Sequence, residues 1–435
     1  MLGEPGLTLA EARRGARAGF YTRHDPPGET ALILGAGNVS SIPAMDVLAL
    51  MFIEGCTCVL KMNPVNEWAG PYIEDGFLPL MDLGYLRVVY GGAAEGEYLC
   101  VHPGLDRIHI TGSDKTHDAI VWGPPGPRQF ERKRLNAPVC QKPVTSELGN
   151  VSPVVILPAE YTWTQLDFLA RNVATMVTNN ASFNCNAAKV LVTSENWDQR
   201  VDFLTLLSLE FSHRPQRLAY YPGAADRRRT LLAGREARAV GDFGRETLGG
   251  LPWTIIYGVD PASDDPIFRT EPFCSLVAET TLPESDPIAF LRSATDFCNR
   301  KLWGTLNATL MVPPQLERDR EFTAALDQTV LELRYGTVAI NHWAGLGYGL
   351  VSPPWGGHPS ARLHDIQSGL GWVHNTYMLD RIEKSVIRGP FVVRPKPPWF
   401  LDHRRAAQVA RRLVEFEAAP GWGKIPGIAW NAFRG

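Results

Sequence analysis

A chain of 435 residues exceeds one ordinary hydrophobic core and divides, by the usual size of domains, into two or three. Its 45% hydrophobic and 20% charged residues are those of a soluble globular protein, and a formal net charge of −3 gives no electrostatic reason to expect a nucleic-acid partner. Seven cysteines, an odd number without disulfide-framework spacing, point to a reducing compartment, and the expected location is the cytoplasm.

The N-terminus has no basic-then-apolar signal pattern. The first apolar run, 31–34, ends in Gly35-Ala36-Gly37-Asn38-Val39-Ser40-Ser41, and Pro43 then opens a helical pattern through Met45, Leu48, Met51 and Phe52. Strand, glycine turn and proline-started helix form the opening of a βαβ unit. The turn looks like a dinucleotide fingerprint, yet Ser40 replaces the third glycine and the second strand ends in Lys61 rather than an acidic ribose ligand. A standard Rossmann reading therefore fails in two places. The most apolar segment, 44–60, is interrupted by Asp46, Glu54 and Gly55, so no membrane span is expected.

Strand 57–61, helix 69–81, strand 86–90, helix 93–101 and strand 107–110 follow in alternation, which specifies a parallel, doubly wound α/β sheet. Cys56-Thr57-Cys58 reads as core. Thr111-Gly112-Ser113-Asp114-Lys115 has two readings: a phosphate cradle at a helix start, or an ordinary capped turn, which local sequence favours. Residues 123–143, proline-rich and then charged, read as a surface loop.

A strand at 143–145 leads into Ser146-Glu147-Leu148-Gly149-Asn150, and another follows at 154–156. Glu147 beside a glycine at a strand end suits a catalytic carboxylate, although most such glutamates are solvated. A helical pattern (Leu166, Leu169, Val173, Met176, Val177) then runs into the polar loop 179–186, which carries Cys185 ahead of strand 190–192. A thiol on a polar helix-to-strand loop is placed to be reactive, while an unpaired cysteine is more often a small core hydrophobe. Further strands are expected near 253–257, 275–278, 309–312 and 337–341, with helices near 286–293 and 317–333. The chain closes with a proline-rich connector, a helix at 404–417 whose Val409, Leu413 and Phe416 form one apolar face docked on the protein, and a tail. Ten dispersed histidines give no metal-ligand spacing, and no metal is expected.

In this order the motifs resemble the aldehyde dehydrogenase superfamily. Residues 21–28 look like the strand entering the family's cofactor fold, Asn38 matches the asparagine of its Trp-Asn-Phe-Pro turn, and Lys61 its strand-end lysine. Thr111-Gly112-Ser113 is similar to its Thr-Gly-Ser turn and Glu147-Leu148-Gly149 to its Glu-Leu-Gly. Asn180-Ala181-Ser182-Phe183-Asn184-Cys185 resembles the nucleophile loop, with Ser182 and Phe183 in place of its glycine and glutamine. Glu271-Pro272-Phe273 and Trp355-Gly356-Gly357 match later segments. Far fewer residues precede Tyr21 than in the family, so the resemblance implies a shortened N-terminal region.

The resemblance implies an aldehyde-dehydrogenase-like fold of two doubly wound α/β domains. A cofactor-binding domain at 1–147 and a catalytic domain at 148–376 are followed by an oligomerisation-type strand and tail at 377–435. It further implies that Cys185 attacks the aldehyde carbon, Asn38 and the Cys185 amide hold the oxyanion, and Glu147 activates water to hydrolyse the thioester. Lys61, Gly112, Ser113 and Glu271 would hold the cofactor, NAD or NADP; the latter is compatible with Pro64 standing where members often carry a glutamate. Phe183, Trp343 and Tyr348 suggest an apolar substrate funnel, hence an apolar or aromatic aldehyde. A homo-oligomer is expected by resemblance. Two alternatives share the fold: a CoA-linked acylating dehydrogenase or acyl-CoA reductase, and a non-catalytic relative acting as an interaction module.

Overall fold

The computed structural model describes the chain except for residues 5, 9, 12–18, 236 and 241–248. Among the described residues there are two large sheets. The smaller has five strands in the order Leu86–Val89, Cys56–Lys61, Glu29–Leu34, Arg107–Gly112, Val144–Leu148, all parallel. The larger has nine, in the order Leu2–Gly3, Ile382–Arg388, Thr337–Ile340, Asn307–Met311, Pro153–Ile156, Val190–Ser194, Leu276–Leu282, Trp253–Val259, Arg238–Val240. Only its two edge strands run antiparallel to their neighbours.

Parallel strands buried on both faces need continuous apolar runs, and these have them. Ala31, Leu32 and Ile33 are fully buried, as are Val190, Leu191 and Val192. Cys56 and Cys58 are core, as expected, packed with Val47, Leu50 and Leu60. The helix Trp163–Thr178 buries Leu166, Leu169, Val173, Met176 and Val177 against the larger sheet. Among the described residues no helix is long and apolar enough to cross a membrane.

Several local expectations are corrected. The stretch 69–81 is two helices, Gly70–Gly76 and Leu78–Asp82, because Pro79 lacks the amide that would continue the first and starts the second instead. The surface loop at 123–143 contains a helix, Pro127–Arg134, begun by its own proline. Tyr21 lies in a 3-10 turn, Gly19–Thr22, not a strand. The sheet begins at Glu29, after Pro26 and Pro27, which have no amide to donate to a ladder. The strand Ile382–Arg388, set apart from the catalytic region on sequence, is hydrogen-bonded into the larger sheet beside Thr337–Ile340. Of the apolar face of Ala406–Ala418, Val409 is buried and Leu413 exposed. The tail forms a second helix, Ile425–Phe433, closed onto the first by Lys424, whose ammonium donates to the Glu415 and Ala419 carbonyls at 2.7 and 2.6 Å.

Candidate active site

The loop around Cys185 has an unusual backbone. Asn180, Ala181 and Ser182 take φ values of 50°, 55° and 68°, a left-handed run in which only asparagine is at ease. Each such non-glycine residue costs about 1–3 kcal/mol, so the surroundings must hold the loop in place. They do so from several elements. Asn180 Nδ2 donates to the carbonyls of Asn38 (2.9 Å) and Phe183 (3.2 Å). Asn184 Nδ2 donates to Asn179 Oδ1 at 3.0 Å. Ser152 Oγ donates to the Cys185 carbonyl at 3.1 Å and Trp343 Nε1 to that of Asn186 at 2.8 Å. The Lys189 ammonium, wholly buried, donates to the Ser182 carbonyl at 2.9 Å.

Phe183 does not face a substrate funnel, although its sequence position suggested that it would. Phe183 is sealed in the core against Tyr220, Tyr221 and Phe273, with ring centroids at 4.9, 5.8 and 5.6 Å. Trp343 spends its indole N–H on the loop. Tyr348 packs on Trp355 and His374. Phe183 and Trp343 anchor the loop around Cys185 instead, and turn an unfavourable backbone into a fixed one.

Cys185 is half-buried and unpaired. Burial, then the negative fields of Glu147 and Glu271, push its thiol well above the usual range, and only the Lys189 ammonium opposes them. The resting side chain is therefore a thiol that needs a base. Glu147, at the end of Val144–Leu148, is 3% exposed, and its Oε1 has no hydrogen-bond partner. Burial raises its pKa to about 7, the nearby Cys185 thiol and Trp355 indole drawing it partly back. A carboxyl poised there can take a proton and return it at neutral pH.

Asn38 reaches the same loop, with its Nδ2 donating to the Phe183 carbonyl at 2.9 Å. One amide N–H thus braces the loop. Tyr220 completes this corner, its hydroxyl donating to the Asn38 carbonyl at 2.9 Å.

Lys61, Gly112, Ser113 and Glu271 lie along a cavity of ≈ 1020 Å³ whose wall also includes Asn38, Glu147 and Cys185. The seven residues expected on sequence to serve catalysis or cofactor binding therefore open onto one space. Lys61 donates to the Gly91 carbonyl, and burial lowers its pKa while Glu95 and Glu67 support the charge. Ser113 caps the helix Asp114–Trp122, accepting from the Thr116 amide at 3.2 Å, so the turn is the capped one that local sequence favoured. Glu271 lies over Gly149, where a Cβ would meet its Oε2 at 2.0 Å. Burial lifts the Glu271 pKa to about 7, Lys189 opposing it, and its Oε1 is unpartnered.

Sequence reasoning did not single out Lys189, Asn180 or Tyr220. Lys189 did leave a signal, a lone charge inside the apolar run Ala187 to Val192. Asn180 and Tyr220 act through backbone carbonyls that only the fold brings near.

Residues 7–208 match the model of the aldehyde dehydrogenase family. Human 4-trimethylaminobutyraldehyde dehydrogenase is 33% identical over 141 residues, 31% of this chain and 25% of that protein. Betaine aldehyde dehydrogenase of Vibrio vulnificus is 28% identical over 152 residues, 35% of this chain and 28% of that protein. The matched stretch thus spans about a quarter of the curated relatives' length. Among solved structures, a Mycobacterium tuberculosis aldehyde dehydrogenase complexed with NAD+ superposes with a TM-score of 0.61 at 20% identity, covering 80% of this chain and 66% of that one. The residues that match the aldehyde dehydrogenase family model cover the sheet that carries Asn38, Lys61, Ser113 and Glu147, and over most of its length the chain has the fold of solved aldehyde dehydrogenases.

Proposed function

We propose that this chain oxidises an aldehyde to its carboxylic acid with NAD or NADP, through a thioester on Cys185. The observation that carries the reading is one cavity onto which a thiol, a carboxyl of pKa about 7, an asparagine, Lys61 and Ser113 all open. Its ≈ 1020 Å³ reaches the upper range of small-molecule and cofactor sites, about 300–1,000 Å³.

The residues present fit a dinucleotide. Lys61 would bind ribose hydroxyls, the free amides at the start of Asp114–Trp122 with Gly112 and Ser113 would hold the pyrophosphate, and the unpartnered Oε1 of Glu271 would accept from the second ribose. When bound, such a cofactor supplies a hydride acceptor.

The chain's own residues account for the rest. Glu147 takes the Cys185 proton, and the sulfur adds to the aldehyde carbon. Asn38 and the Cys185 amide stabilise the oxyanion, preorganised donors being worth most where charge develops. Once Glu147 has passed that proton to solvent and oxidation has left a thioester, Glu147 removes a proton from water, which attacks the acyl carbon and expels the sulfur. Tyr221, Phe273 and Trp303 on the cavity wall support an apolar or aromatic aldehyde. Assembly as a homo-oligomer in the cytoplasm belongs to the same proposal, the cysteines being unpaired as a reducing compartment requires. The test is the absorbance of reduced NAD or NADP with hexanal and benzaldehyde. Turnover lost in Cys185→Ala is expected; no turnover in the unaltered protein, or an undiminished rate in the variant, overturns the reading. Light scattering on the eluted protein reports the assembly.

A further inference from the structure

Behind Glu147 lies a set of buried polar side chains that the reaction has not yet used. Asp46, on the helix Ile42–Phe52, is 1% exposed and accepts a hydrogen bond from Thr111 Oγ1 at 2.8 Å. The ring of His109, 3% exposed, stands between two partners. Its Nε2 is 3.4 Å from Thr111 Oγ1 and 3.7 Å from Asp46 Oδ2, and its Nδ1 is 2.9 Å from Thr145 Oγ1.

The strand register explains why they meet. Arg107–Gly112 and Val144–Leu148 pair in parallel with His109 opposite Thr145 and Thr111 opposite Glu147. Residues two apart on one strand share a face, and registered neighbours on parallel strands do too, about 4.8 Å apart. Thr111, His109, Thr145 and Glu147 therefore form a polar square on one face of an otherwise apolar sheet, with Asp46 above it. Carboxyl and imidazole groups in a sheet core cost several kcal/mol unless paired, and this pairing serves no helix cap or turn.

We propose that Thr111, Asp46, His109 and Thr145 form a proton-exit relay, which carries the proton taken up by Glu147 along the sheet face to solvent at the partly exposed Thr145; it rests on the assignment of Glu147 as the base. Thioester hydrolysis forms a C–O bond to water and breaks the C–S bond. One water proton ends on sulfur, and the other is released as the acid leaves ionised. That second proton enters on a carboxyl almost closed to solvent, so each turnover needs a way out.

The charge states suit a relay. Burial, with the field of Glu147, raises the Asp46 pKa well above the carboxylate range, the Thr111 hydrogen bond opposing it. Burial and the positive field of Arg107 lower that of His109 to about 4. Burial thus favours the uncharged form of both groups, an acid and an imidazole, each able to accept a proton on one side and give one on the other. Tyr348, the remaining titratable group coupled to Asp46, is itself held protonated by burial and feels Glu147 and Cys185 as well.

The test uses 4-nitrophenyl acetate, which acylates a reactive thiol without cofactor and separates the acylation burst from steady-state hydrolysis. In Asp46→Asn and His109→Ala the burst is expected to persist while steady-state hydrolysis falls about tenfold or more and its pH profile shifts. Added imidazole should restore the His109→Ala rate in proportion to its concentration. Wild-type steady-state rates and pH profiles in both variants overturn the relay. So does a slow His109→Ala rate that imidazole does not lift, accompanied by a lowered melting temperature. If the unaltered protein shows no burst that Cys185→Ala abolishes, the thioester reading itself fails, and that outcome is distinct from either of the others.

Discussion

Two loops at the ends of sheet strands face the same cavity, and they are built in opposite ways. The turn at 111–115 is relaxed. Its serine caps a helix in an extended conformation, φ −97° and ψ 151°, and both Gly112 and Ser113 are exposed. The loop at 179–186 is strained through three consecutive residues and held by Asn38, Lys189, Ser152 and Trp343. Holding an anion takes only backbone donors that point the right way, which any capped helix start provides. Placing a sulfur for attack takes a position fixed to a fraction of an ångström, and here that position is forced on a backbone that would relax elsewhere.

Glu147 bridges the two regions, and altering it should have the largest effect. In Glu147→Gln, thioester hydrolysis is expected to drop about 10²–10⁴-fold while the first equivalent of reduced cofactor still appears; a rapid-mixing trace separates the phases. In the native protein, hydrolysis should rise with pH through about 7 as the carboxyl ionises. The sign for stability is the reverse. A carboxyl whose folded pKa is raised contributes stability below its unfolded value, and this is lost as pH rises through about 7. Above that pH, Glu147→Gln should resist urea better by up to about 3 kcal/mol, with no such gain at pH 4.

Lys189→Met tests whether the strained loop depends on its ammonium clamp. Leaving the Ser182 carbonyl buried without its donor should cost about 1–3 kcal/mol and slow alkylation of Cys185 by iodoacetamide at fixed pH. Equal stability and equal alkylation would mean that the aromatic packing alone holds the loop. Ser182→Gly should do the opposite and stabilise by about 1 kcal/mol, because glycine takes φ of 68° without penalty. Thermal unfolding reads it directly. The smallest effect belongs to the relaxed turn: Ser113→Ala removes a cap worth about 1 kcal/mol and should raise the KM for cofactor with kcat little changed.

The doubly wound plan was legible because parallel strands need uninterrupted apolar runs, and residues 31–34 and 190–192 are such runs. Helices were legible where periodicity was strong, as at 166–177, and misread where a proline did local work, at Pro79 and Pro127. The residues that share the cavity could be chosen because each stands at a strand end or turn in a fixed order. What they touch could not. That Asn38 braces Phe183, or that His109 meets Thr145, depends on register between strands far apart in sequence. Phe183 shows the limit: an aromatic residue two positions before Cys185 can as well face outward to a substrate as inward to Tyr221 and Phe273, and nothing local decides.

The contact between Gly149 and Glu271 has a consequence for how such a chain can vary. A side chain at 149 would meet the Glu271 carboxylate and displace it, so the glycine is what allows the carboxylate its present position. A lineage, or a designer, can therefore vary 271 with the glycine in place, whereas a change at 149 moves the carboxylate at once.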